Sequence, residues 1–250
     1  MKDTFSARIL IIEKSTYLIN ISPYFIKKVT DLYRDRLHAG EVLAELLKPY
    51  SRERVVLLVI PNGGVPVGYV IFKRFRRENQ NIEFNLIIVR KIPIPYNTEA
   101  GFGAITIDGT TILNEPLVAR IGLTEPQIKK AASKVLEDMK VRLRIYGIEG
   151  QEFELKDKVA ILVDDGIASG YTMIAAVKSI QKYHPKNIVV AVPTAPRSSV
   201  DRVAPLVNEV VCPDIQDTYS FAVANAYKNW YDLDVEEVRE ILKEINALKK

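Results

Sequence analysis

The chain has 250 residues, 48% hydrophobic and 26% charged, a usage that fits one α/β domain with additions and excludes a disordered chain. Its 35 basic and 31 acidic residues give a net charge of +4, which suits an anionic small molecule and falls short of a nucleic-acid footprint. One cysteine and two histidines exclude a disulfide framework, a thiolate zinc cluster and a histidine-rich metal site, and leave little material for a Ser-His-Asp triad.

No apolar run approaches the roughly 20 residues of a membrane span, and no Gly-Lys pair exists for a Walker loop. The N-terminal stretch MKDTFSARILII lacks a long apolar h-region, so a cytoplasmic protein without a leader, with no membrane and no nucleic-acid partner, is expected. Residues 8–21 alternate loosely and predict an N-terminal strand or hairpin. Ser22-Pro23 is a cap with proline at the first helical position. Helical periodicity then runs, with room for a break, to about Leu47, with Leu37, Val42, Leu43, Leu46 and Leu47 on one stripe. The apolar run 55–60 enters Pro61-Asn62-Gly63-Gly64, as a buried strand enters a tight loop. Residues 67–77 read as a helix and 84–89 as the next buried strand. A loop over 90–103, with Pro93, Pro95, Asn97, Gly101 and Gly103, leads to a hairpin around Asp108-Gly109. Thr124 to Gln127 form a capping box that opens a helix to about Tyr146. A strand at 159–163, a helix at 172–183, a strand at 188–192, a helix at 198–207, a short strand at 210–211 and an amphipathic helix at 235–248 follow.

Apolar strands alternating with helices predict an α/β fold, a mostly parallel twisted sheet flanked by helices. Without repeats or linkers, residues 1–250 read as one domain, with 1–22 and 212–250 as candidate hood or peripheral segments. Ligands of such sheets bind beyond the carboxyl ends of the strands. Those ends are expected to carry Asn62-Gly63-Gly64, Arg90-Lys91, Asp164-Asp165-Gly166 and Pro193-Thr194.

The segment VAILVDDGIASGYT, 159–172, carries the most chemistry. Two adjacent carboxylates at a strand end lead into a small-residue loop and a helix, whose amides and N-terminus form an anion nest. Gly166, Ala168 and Gly170 allow close approach to a phosphate, and Ser169 and Thr172 can donate hydroxyl hydrogen bonds. Asp164 and Asp165 would repel a phosphate at their own position, and suit vicinal hydroxyls or a metal ion. A phosphate at one end and a diol nearby describe a 5-phosphoribosyl group. A paired-acid turn that only caps a helix is the plainer alternative. The loop IPNGGVPVG, 60–68, reads as a set of backbone donors for a second phosphate, or as an ordinary glycine turn. Arg90 and Lys91 are two cations that can neutralise a leaving group whose charge grows as its bond breaks.

The 159–172 segment resembles the phosphoribosyl-pyrophosphate signature of the type I phosphoribosyltransferases: four apolar residues, two acidic residues and a small-residue loop ending in Thr. The stretch RKIPIPYNTEAGFGA and the helix LYRDRLHAGEVLAELL, 32–47, are similar to a bacterial and archaeal branch of unassigned acceptor. The resemblance implies that Asp164 and Asp165 hold the ribose hydroxyls and, mostly indirectly, magnesium. It implies that Gly166, Ala168, Ser169, Gly170, Tyr171 and Thr172 hold the 5-phosphate, and Asn62, Gly63 and Gly64 the pyrophosphate. A non-proline cis peptide is also implied there, with Asn62–Gly63 as the candidate bond. Arg90, Lys91 and Glu99 would be catalytic on a mobile loop, Glu99 being otherwise a solvated carboxylate. Asp35, Arg36 and Gly40 match the branch without an assigned role. Pro193, Thr194, Phe221, Trp230 and Tyr231 are candidates for the acceptor pocket, with Tyr219 and Tyr227 among the aromatics that could instead anchor the C-terminal helix. Ala168 and Pro193 stand where purine-salvage members place an Asp and a Lys, which argues against hypoxanthine or guanine. The expected partners are magnesium-bound phosphoribosyl pyrophosphate, a small nitrogenous acceptor and, as a homodimer, a second copy. A non-catalytic sensor of a phosphoribosyl metabolite is the alternative on the same fold.

Overall fold

Two five-residue apolar runs, Val55–Val59 and Val159–Val163, are buried at every position, because helices cover both faces of the sheet they centre. The computed structural model describes residues 8–10, 33–218 and 220–249. The side chains of residues 8–10, Thr98 and Glu99 lie outside the described part, as do the expected hairpin beyond Leu10, the Ser22-Pro23 cap and Tyr219. The elements are β1 (Arg8–Leu10), α1 (Arg36–Leu46), β2 (Val55–Val59), α2 (Gly64–Arg76), β3 (Glu83–Leu86), β4 (Val89–Ile94), β5 (Asn97–Thr106), β6 (Thr111–Leu113) and α3 (Glu115–Ile121). They continue with α4 (Glu125–Tyr146), β7 (Val159–Val163), α5 (Tyr171–Gln181), β8 (Asn187–Ala191), β9 (Thr194–Pro196), α6 (Arg197–Val203), β10 (Glu209–Val211), β11 (Asp214–Gln216) and α7 (Val235–Leu248).

Six strands form the main sheet in the order β1-β10-β8-β7-β2-β3, with every neighbouring pair parallel. Alternate residues of β2 sort into two cores. Val55, Leu57 and Val59 face α1, α2 and α7 through Leu43, Ile71, Phe72, Phe75 and Val238. Val56 and Leu58 face α5 and α6 through Ala176, Val177, Val200 and Val203. Full burial of each such side chain contributes about 1.5–3 kcal/mol. The C-terminal helix α7 covers the sheet beside α2, tied by Tyr69 Oη donating to Glu244 Oε2 at 2.6 Å.

The expected loop over 90–103 is instead paired strand. β4 and β5 pair antiparallel, β5 pairs onward to β6, and the register shifts around Pro93. Proline and glycine density reads as loop in a sequence, but here Pro93 sits at the bulge of an edge ribbon, where a missing N–H is tolerated, and Pro95 in the turn that joins its two strands. The third buried strand ends at Leu86, so Arg90 and Lys91 lie within β4 and not at the carboxyl end of the main sheet.

The N-terminal helix begins at Arg36, where the Asp35 side chain accepts from His38 N at 2.8 Å. Its buried face is narrower than the expected stripe: Leu37 is 44% exposed, while Ala39, Gly40, Leu43 and Ala44 face inward. Small residues win that face because α1 crosses α2 closely at Gly40. A Cβ there would stand 2.8 Å from Val70 Cβ and 2.9 Å from Val67 O. Gly40→Ala is therefore expected to destabilise the fold by about 1–3 kcal/mol through overpacking, measured as a lower urea midpoint with an unchanged slope.

Candidate functional site

Register brings the site together. β2 and β7 pair from Val55↔Val159 to Val59↔Val163, and Ile60 N extends the ladder to Val163 O at 2.9 Å. The loops that follow the two strands therefore lie side by side. After β2 the chain winds directly into α2, with Gly64 N donating to Ile60 O and Val65 N to Asn62 O. The Gly64 amide is thus engaged within the turn, which leaves Asn62 and Gly63 as the turn's remaining backbone donors. The Asn62 side chain is structural: its Nδ2 donates to Leu233 O at 2.8 Å and its Oδ1 accepts from Tyr146 Oη at 2.7 Å. The non-proline cis peptide is Pro61–Asn62, one bond before the expected Asn62–Gly63. Gly63 has to be glycine because a Cβ would overlap the Asp165 carboxylate.

The two acids at the end of β7 differ in surroundings. Asp164 Oδ1 accepts from Asp165 N at 2.8 Å, and its carboxylate lines the cavity described below. Asp165 Oδ2 accepts from Arg36 Nε at 2.8 Å, and Asp165 O accepts from Tyr227 Oη at 2.6 Å. Burial, then the adjacent Asp165 charge, raises Asp164 well above the usual carboxylate range. Burial also raises Asp165, with Arg36 opposing it.

Beyond the acids, residues 166–172 wrap toward the N-terminus of α5, with Gly170 in the left-handed region at φ 86°. Ile167 N is held by Thr194 O at 3.0 Å. The carbonyls of Ala168 and Ser169 accept from Ser199 Oγ at 2.6 Å and Arg202 Nη2 at 3.1 Å. With these carbonyls tied back by α6, the amides of Ala168–Thr172 are the donors left to a ligand. Neither Ser199 nor Arg202 stood out in the sequence; the only signal was their place on the helix after the next strand. A cavity of about 440 Å³ is lined by this loop from Gly166 to Met173, by Asp164 and Val223, and across from them by Lys91, Gly101 and Gly103 of the β4–β5 ribbon.

Lys91 and Arg90, expected to act together, are separated. Successive residues of a strand face opposite ways; Lys91 lines the cavity, whereas Arg90 neighbours Arg142, Tyr146 and Asp138 of α4. Burial, then Arg142, lowers the pKa of Arg90. Glu99 lies on β5, its side chain outside the described residues.

A family model for the phosphoribosyl transferase domain matches residues 28–230. The chain belongs to this family. Two Mycobacterium tuberculosis proteins, from strains CDC 1551 / Oshkosh and ATCC 25618 / H37Rv, carry the name "Putative phosphoribosyl transferase" and are each 33% identical over 207 residues. These matches cover 83% of this chain and 45% of each relative, so the chain spans less than half the length of the curated relatives it matches. The crystal structure of TT1426 from Thermus thermophilus superposes with a TM-score of 0.68 at 31% identity, covering 85% of this chain and 98% of that one.

The expected acceptor residues of this phosphoribosyl transferase domain are scattered. Pro193 and Thr194 are buried: Pro193 O accepts from Tyr33 Oη at 2.9 Å, and Thr194 Oγ1 donates to Asp214 Oδ2 at 2.7 Å. Thr194 braces the loop after β7, its carbonyl accepting from Ile167 N. Phe221 is half-buried and is not among the residues lining the cavity. Trp230 and Tyr231 surround Arg36, whose guanidinium carbon lies 3.9 Å from the Trp230 ring centroid.

The raised Asp164 pKa has a sign that can be tested. The folded protein binds that proton more tightly than the unfolded chain, so stability falls as pH rises from about 4 through the raised value. Asp164→Asn keeps the Oδ1 acceptor and removes the charge. It is expected to melt above wild type at pH 7, with the difference closing as pH is lowered toward 4.

Proposed function

We propose that the protein transfers the 5-phosphoribosyl group of magnesium-bound phosphoribosyl pyrophosphate to a small nitrogenous acceptor and releases pyrophosphate. The observation that carries this reading is one cavity in which a carboxylate, Asp164, stands beside a loop of unspent amides and faces a cation, Lys91. Amides of residues 168–172 would hold the 5-phosphate, Asp164 would accept hydrogen bonds from ribose hydroxyls, and the turn at Asn62 and Gly63 would meet the pyrophosphate end.

Among the described residues no group of three or more His, Cys, Asp or Glu side chains could cage a metal ion. Magnesium fits here as an ion carried by ligand oxygens and waters, with Asp164 as an available carboxylate oxygen. When bound, it would offset charge on the pyrophosphate. In the reaction the C1–O bond to pyrophosphate breaks with its electron pair leaving on oxygen, and the acceptor nitrogen forms the new bond to C1. A proton on that nitrogen passes to solvent, since Ala168 offers no base. The protein's part is to align the partners and stabilise separating charges. The ribbon carrying Lys91, Gly101 and Gly103 forms one wall of the cavity and limits the access of water.

The deciding experiment is pyrophosphate release from phosphoribosyl pyrophosphate and Mg²⁺ across a panel of nitrogen-containing acceptors. Release that depends on one acceptor is expected; binding without release from any acceptor would instead identify a sensor. Because pyrophosphate gains charge as it departs, Lys91→Ala is expected to lower kcat about tenfold to a hundredfold with a smaller change in KM. Arg90→Ala, set against α4, should act mainly on thermal stability, and initial-rate kinetics beside melting curves separate the two.

A further inference from the structure

Asp165 is enclosed by three separated parts of the chain. α1 supplies Arg36, whose Nε donates to Asp165 Oδ2 and whose Nη1 donates to Tyr231 O, each at 2.8 Å. The segment before α7 supplies Trp230, whose ring covers the guanidinium at 3.9 Å. The turn after β2 supplies Gly63, which a Cβ would drive into the carboxylate. The Arg36 and Asp165 side chains keep only 7% and 13% of their exposure. Asp164 lines the cavity and Asp165 is not among its lining residues. The sequence match of Arg36 to its branch thus acquires a physical content 129 residues away from the arginine.

We propose that Arg36 is a positioning residue for the anionic ligand: it neutralises Asp165 and holds that carboxylate beneath Gly63, so that Asp164 is the acid presented to the cavity. This rests on the phosphoribosyl-pyrophosphate reading above. Two adjacent carboxylates without a cation would repel a ligand that carries phosphates, and a carboxylate released from its partner could turn toward the ligand. Removing one member of a buried pair leaves the other charge uncompensated, which costs far more than the pair itself contributes. Lysine replaces this arginine only in part: it can answer the charge of Asp165, but only a planar fork bridges a carboxylate and a carbonyl while stacked on an indole. A purely structural role, tying α1 to the C-terminal segment, predicts something different. It would be insensitive to the charge on Asp165.

The test is calorimetric titration of phosphoribosyl pyrophosphate with Mg²⁺ into the full chain as wild type, R36M, R36K and the double variant R36M/D165N, with folding checked by circular dichroism and melting. R36M is expected to weaken binding about tenfold or more, R36K to fall between it and wild type, and R36M/D165N to regain a large part of the R36M loss. Wild-type affinity in R36M, or a double variant no tighter than R36M, overturns the proposal. If R36M does not fold, R36K decides: about threefold weaker binding supports the role, and wild-type affinity overturns it. Wild type that binds no phosphoribosyl pyrophosphate overturns the functional reading and this one together. Binding by wild type with no coupling between positions 36 and 165 overturns this one alone.

Discussion

The parallel pairing of β2 with β7 is the constraint on which the site depends. In-register pairing up to Val59↔Val163 delivers two loops at one height, with Gly63 against Asp165 and Gly64 against the backbone of Val163 and Asp164. A slip of one residue would reverse every side chain of the strand between the two cores, placing Leu57 where Leu58 packs. The hydrophobic effect that fixes the register therefore also fixes how far the turn after β2 stands from the acid pair. Glycine at positions 63 and 64 follows from that distance, whatever ligand is bound.

Such closeness has an energetic cost that the surroundings offset in part. Burial at the strand end raises the pKa of both adjacent carboxyls. Arg36 answers the charge of Asp165, and Tyr227 answers the backbone carbonyl of the same residue. Asp164 feels Arg36 through space only, and its Oδ1 accepts from the Asp165 amide. Both raised carboxyls make the strand end less stable at neutral pH than a neutral pair of the same shape would be.

Much of the fold was legible because it is written locally. The runs in β2 and β7, the capping box that opens α4 and the amphipathic pattern of α7 each declare an element locally, and the acid pair with its small-residue loop marks the candidate site. What could not be read is long-range. Arg36 and Asp165, Asn62 and Leu233, and Ser199 and Ala168 are paired by topology, and no spacing in the sequence couples them. The β4–β5 ribbon was hidden for another reason. Proline and glycine mark loops by propensity, and tertiary pairing overrides propensity at an edge. The aromatics at Trp230 and Tyr231 suggested a stacking platform for a ring, and the partner they hold is an arginine of this chain. Pro193 and Thr194 follow the end of β8, and the burial of Thr194 depends on β11, which pairs with β9 from Asp214↔Thr194 and is not legible locally.

Helix α5 connects the two walls of the cavity. Its N-terminus closes the loop of residues 166–172, and near its other end Ser179 Oγ donates to Asp108 Oδ2 at 2.8 Å, with Lys182 Nζ on the same oxygen. Asp108 sits in the turn between β5 and β6, where Thr110 N donates to its Oδ1 at 3.0 Å and Thr106 Oγ1 also bonds to it. Burial alone would push this carboxyl up, yet Lys182 and these donors hold it well below the usual range. The far end of the ribbon is different: Tyr96, at the tip, is 72% exposed. One wall is thus fastened at its base to the helix whose first turn forms the other wall, and is open at its tip. Lys91, Gly101 and Gly103 lie in the paired part of the ribbon between the two ends, so their place across the cavity rests on the same helix whose first turn closes the loop of residues 166–172.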